Sequence, residues 1–180
     1  MKILGIDPGT ATTGYGVIKV KKRVDKLACL DYGSIITSPA LNLCDRLKKI
    51  EKEVNKLINR FQPQILAVEK LYFFKNSKTM VSVSQAKGVI LLAAAKKKVP
   101  VVEFTPLEVK MTIVGYGRAK KIQIQKMIQL LLDLEELPKP DDAADALALA
   151  VCAHLMLFSK LSSRKQKTLD KDVRKNIIGL

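Results

Sequence analysis

Through the first forty positions apolar residues come in short alternating runs, and then their period changes. "KILGID" (2–7) is closed by Pro8-Gly9, and "TGYGVIKV" (13–20) follows after small and hydroxyl residues, a pattern that predicts two strands of a hairpin. "KLACLDYGSIIT" (26–37) has the β-branched and aromatic content of a third strand, so the chain should open as an antiparallel meander. Leu43, Leu47, Ile50, Val54, Leu57, Ile58 and Phe61 then recur at helical spacing among lysines and glutamates, which predicts a long amphipathic helix. "QILAVE" returns to a strand pattern. A second helix is expected from about Thr79 to Lys98, and "VPVVEF" supplies a fifth strand. Helical patterns fill "LEVKMTIVG", "AKKIQIQKMIQLLLDL" and the stretch from Pro140 to about Ser159. This order predicts an α/β fold, a mixed five-stranded sheet with helices on both faces. Residues 159–180 are polar and basic with weak periodicity, so a domain over 1–158 followed by a flexible basic tail is expected.

Charge narrows the partners. Lysine and arginine number 32 against 17 acids, a net +15 over 180 residues, and such a surplus favours a polyanion, with nucleic acid ahead of an acidic membrane surface. The chain has no run of eighteen apolar residues and its start breaks at Pro8-Gly9, so no membrane span or secretory signal is expected and the protein is read as cytoplasmic. Cys29, Cys44 and Cys152 are odd in number and widely spaced, which argues against a disulfide framework or a zinc site.

The chemistry is concentrated in acids. "PKPDDAADALALAVCAHLM" places Asp141, Asp142 and Asp145 at the head of an otherwise apolar helix. An acid at a helix N-terminus can cap free N–H groups, but Asp145 lies about one turn in, among alanines, where an unpaired charge is costly. Asp142 and Asp145, three apart, share one side of the helix. Asp7 ends the first strand and Glu69 the fourth. If those strands are neighbours, Asp7, Glu69, Asp142 and Asp145 converge into an all-oxygen site that repels itself unless divalent cations hold it, which suits magnesium or manganese. A pair of such ions serves phosphodiester hydrolysis. Tyr72, Phe73 and Phe74 follow Glu69 beside Lys75 and Lys78, a composition suited to stacking on unpaired bases, although Phe73 and Phe74 could equally fill the core. "GYGRAKK" offers a Gly-flanked basic loop ending in Arg118, Lys120 and Lys121, which could follow a phosphate backbone or simply be solvated. His154 reads as a packed residue.

Five segments, "GIDPGTATTGYGVI", "AVEKLYFFKN", "SVSQAKGVI", "VKMTIVGYGRAKK" and "PDDAADALALA", resemble in order and spacing the motifs of the RuvC family of Holliday junction resolvases, over roughly residues 1 to 157. The resemblance implies an RNase H-like fold, a homodimer, and magnesium-dependent paired nicks across a four-way DNA junction. On the chemistry of the acid cluster, two Mg2+ ions per site are expected, with Mn2+ a possible substitute. Asp7, Glu69, Asp142 and Asp145 match the acidic quartet, as catalytic residues and metal ligands. Tyr72 matches an aromatic that stacks on opened bases, and Lys110 and Lys121 match DNA-contacting positions; Arg118 joins them on charge. Asp141 matches no required acid and is left as a cap or a supporting group. The resemblance also suggests cooperation with the RuvA–RuvB branch-migration complex. Three competitors are an actin-like ATPase, for which 180 residues leave no duplicated half, a catalytically silent DNA-binding module, and an RNase H-like nuclease acting on RNA.

Overall fold

The computed structural model describes residues 1–20, 26–71 and 77–157. Three strands, β1 (Lys2–Asp7), β2 (Thr12–Val20) and β3 (Leu27–Ile36), form the expected meander, followed by α1 (Leu43–Phe61), β4 (Ile65–Glu69), α2 (Ser77–Lys96) and β5 (Val101–Phe104). Helices α3 (Pro106–Val114) and α4 (Lys121–Leu132) come next, and a last helix, α5, covers 141–157. The sheet order is β3-β2-β1-β4-β5, antiparallel on the β3 side of β1 and parallel from β1 to β5.

Local chemistry sets the boundaries. The Asn42 side chain accepts from Asp45 N–H at 2.9 Å to start α1, which ends at Gln62 in the left-handed conformation. Helix α3 starts with Pro106 behind a Thr105/Glu108 capping box and stops at Gly115, whose φ of 75° suits a residue without Cβ.

Side chains alternate across the sheet, so each strand serves two cores. Leu4, Ile6, Leu66 and Val68 pack under Ile50, Val54, Ile58 and Phe61 of α1 and Ala86, Ile90 and Ala93 of α2. Ile3 and Ala67 face the opposite way, against Val109, Ile124, Ile128 and the run Leu147–Ala153 of α5. From Ala146 to Ala153 helix α5 is buried on all sides, as its unbroken apolar sequence there requires. Its head also comes close to strand backbone: a Cβ on Gly5 would come within 2.0 Å of the Ala146 carbonyl oxygen, and one on Gly14 within 2.0 Å of that of Asp142. Two glycines on one face of β1 and β2 therefore let the head of α5 descend onto the sheet.

Among the described residues no helix is long and apolar enough to cross a membrane. His154 is buried, and Cys29, Cys44 and Cys152 are free thiols.

Candidate acidic active site

Strands β1 and β4 are parallel neighbours paired through Ile6 and Val68, so Asp7 and Glu69 stand side by side one residue further on. Both lie on the face that α5 covers, because Gly5 and Ala67, two residues back on each strand, face the same way. Asp7, Glu69 and Asp145 line one cavity of about 280 Å³, together with Lys110, Lys121, Pro106, Val109 and Ile124 from α3 and α4.

The electrostatics are those of charge crowded out of water. Burial pushes the Asp7 carboxyl up to about 8, and Glu69, Asp145 and Asp142 push in the same direction. Burial also raises Glu69, with Asp145 adding to it, although a hydrogen bond with Asp7 opposes the rise. Asp145 is raised first by burial and then by the charges of Asp141 and Asp142, against the pull of Lys121. The Lys121 ammonium sits 2.7 Å from Asp145 Oδ2 and 3.4 Å from Asp141 Oδ2.

The remaining sequence-predicted residues fall into place unequally. Asp142 does not line the cavity; half-buried at the helix head, it acts on Asp7 through its charge. Lys110 lines the cavity from α3. Arg118 is exposed on the loop between α3 and α4 and does not line it. Tyr72, Phe73, Phe74 and Lys75 lie outside the described residues.

Two features escaped sequence reasoning. Asp141, read there as a cap or supporting group, accepts a hydrogen bond from the buried Gln125 side chain at 3.0 Å, tying α4 to the head of α5. The glycines beneath α5 are the other, and the G-x-G of "TGYGVI" on one strand face was their available signal.

The donor set tests for a divalent ion in a specific way. Its chemistry fits: carboxylate oxygens only, with mutual repulsion that a cation would relieve. Its closure is incomplete, since among the described residues no three acids stand close enough to grip one ion together. Asp145 is paired with the Lys121 ammonium.

Acids gathered at the ends of two central strands beside Lys110 and Lys121, on a sheet of this order, fit the RNase H-like nuclease class that the sequence resemblance implies. Comparison with known proteins narrows the class. The family described as crossover junction endodeoxyribonuclease RuvC matches residues 3–154. A protein of that name from Fusobacterium nucleatum is 47% identical over 173 residues, covering 96% of this chain and 90% of the relative. Another from Moorella thermoacetica is 55% identical over 152 residues, covering 84% and 90%. The solved Thermus thermophilus RuvC structure superposes with a TM-score of 0.83 at 34% identity, covering 89% of this chain and 97% of that one. The T. thermophilus RuvC structure in complex with a Holliday junction substrate gives a TM-score of 0.80 at 31% identity, covering 88% and 96%. The chain belongs to the RuvC family of crossover junction endodeoxyribonucleases.

Proposed function

We propose that the protein is a magnesium-dependent resolvase that binds four-way DNA junctions and cuts them by paired, symmetric nicks, acting as a homodimer. The observation that carries this reading is the convergence of Asp7, Glu69 and Asp145 on one cavity, with Asp7 held up at about 8. Asp7, Glu69 and Asp145, with Asp142 at the helix head, are the residues that would hold the ions. Bound Mg2+, two ions per site and replaceable by Mn2+, would supply positive charge to offset the phosphodiester and ease deprotonation of the attacking water.

The chain's own residues do the rest. Partial burial of Asp7 and Glu69 against α5 weakens the screening of their charges by bulk water. Lys110 in the cavity wall, Lys121 beside it and Arg118 on the adjoining loop draw the DNA backbone towards the acids. Tyr72 carries the base-stacking role implied by the family resemblance. A junction with two equivalent strands calls for two equivalent sites, which a two-fold dimer presents. Helix α2 suits that interface: Val81, Gln85, Gly88, Leu92 and Ala95 form one exposed stripe, with Val81 60% and Leu92 51% exposed and open space over Gly88. The domain over 1–158 carries the chemistry, the tail from 159 adds basic charge, and cooperation with a RuvA–RuvB motor follows from family kinship.

The test is a synthetic four-way junction incubated with protein and Mg2+, with strand-resolved products. Symmetric nicks in two opposed strands, lost on chelation, are expected. Cleavage of an RNA duplex in preference to the junction, or junction binding without nicking over a range of pH and metals, would overturn the proposal.

A further inference from the structure

The cation nearest the acids is not a free DNA contact. Lys121 is the first residue of α4, and its ammonium spans Asp145 at 2.7 Å and Asp141 at 3.4 Å. It faces the same cavity as Asp7 and Glu69 and opposes the pKa rise of Asp7, Glu69 and Asp145 alike. Asp145 meanwhile stands apart from any three-acid grip on an ion. The pairing is easily undone, because the Lys121 and Asp145 side chains are 45% and 37% exposed, and ion pairs in such contact with water are weak.

We infer that Lys121 is a tethered counter-cation: it holds Asp145 while the metal is absent and is exchanged for the divalent ion, which frees its ammonium for the DNA. The inference rests on the metal-site reading above. A single carboxylate cannot serve a close ammonium and a metal ion equally well, so the two cations compete for Asp145. Removing one must tighten the other. The pairing also reconciles two demands, since it lessens repulsion among the acids of the metal-free protein and keeps a cation beside the place where phosphate arrives. Lys121 is thus a positioning residue for Asp145 before it is a DNA contact.

The test is a calorimetric titration of Mn2+ into DNA-free, full-length protein. Lys121→Met should bind Mn2+ more tightly than wild type, by up to about fivefold, the range expected for loss of a solvent-exposed competing ion pair. Lys121→Arg, which keeps the cation, should stay near wild type. A second readout needs no variant: amine acetylation of wild-type protein, mapped by mass spectrometry, should increase at Lys121 when Mn2+ is added. Mn2+ affinity in Lys121→Met equal to or below that of wild type, or acetylation unchanged by Mn2+, would overturn the exchange while leaving the metal site standing. Absence of Mn2+ binding in wild type and Lys121→Met alike would overturn the metal site, and the exchange with it.

Discussion

The two faces of the sheet treat an acid near the end of a strand in opposite ways. On the α2 face Glu103 of β5 meets the largely buried Lys87 ammonium at 2.6 Å, one cation for one carboxylate. On the α5 face Asp7 and Glu69 lie against each other and near Asp145, and the cation beside them, Lys121, is committed to Asp145 and Asp141. The first arrangement serves stability. The second stores repulsion, which lowers the stability of the folded protein while creating a demand for positive charge that an ion can meet. Functional sites are where such local conflict is tolerated.

The largest effect should come from breaking the crowded side. Asp7→Asn removes a ligand charge and should reduce nicking of a four-way junction by on the order of 10³-fold or more, while junction binding by gel shift survives because the basic residues are untouched. Nicking at the wild-type rate would detach Asp7 from the chemistry.

Pressing on the glycine contact comes next. Gly14→Ala drives a methyl group into the Asp142 carbonyl and should destabilise the fold by about 1–3 kcal/mol, a drop in Tm of about 2–4 °C per kcal/mol, with nicking reduced as the head of α5 shifts. An unchanged Tm and rate would mean that the helix does not need this close approach.

Lys87→Met tests the paired side. It strands Glu103 and should lower stability by roughly 1–2 kcal/mol, with or without divalent ions, since the pair is only partly desolvated. A loss confined to the ion-loaded protein would merge the two faces into one electrostatic unit.

The faces should also differ in pH response. The Asp7 carboxyl at about 8 against an ordinary 3.8 means that between those values the metal-free folded protein holds a proton that the unfolded chain has released. Stability should therefore fall as pH rises from about 4 to about 8. In Asp7→Asn that decline should be shallower, as urea midpoints across the range would reveal; an identical slope would place the proton elsewhere. The smallest effect belongs to Arg118→Ala, which should reduce the salt slope of log K for junction binding by about 1 if the exposed guanidinium touches a phosphate.

Much of this was legible in the residue order, for physical reasons that differ by element. Helix α1 announces itself through Ile50, Val54, Leu57, Ile58 and Phe61 at helical spacing, and its observed span, Leu43–Phe61, begins and ends on the apolar residues that mark it. Strands β1 and β4 are short aliphatic runs that end on an acid, which is why Asp7 and Glu69 stood out. What periodicity does not carry is contact between elements. The Lys121–Asp145 pair joins the first turns of two helices 24 positions apart in "KIQIQKMIQLLLDLEELPKPDDAAD", and nothing local distinguishes that lysine from Lys120. Asp142 and Asp145 share a helix side in sequence, yet only Asp145 lines the cavity. A spacing of three leaves residues about 60° apart around the axis and about 4.5 Å apart along it, enough to separate the cavity wall from its edge.

The melting temperature of wild type and Asp7→Asn at pH 8, each with and without Mn2+, tests the unmet acidic cluster most directly. Wild type should melt below the variant when ion-free, and added Mn2+ should raise its Tm by more than it raises that of the variant. An ion-free variant no more stable than wild type, together with an equal response of both to Mn2+, would contradict the claim that these acids are held in repulsion until an ion arrives.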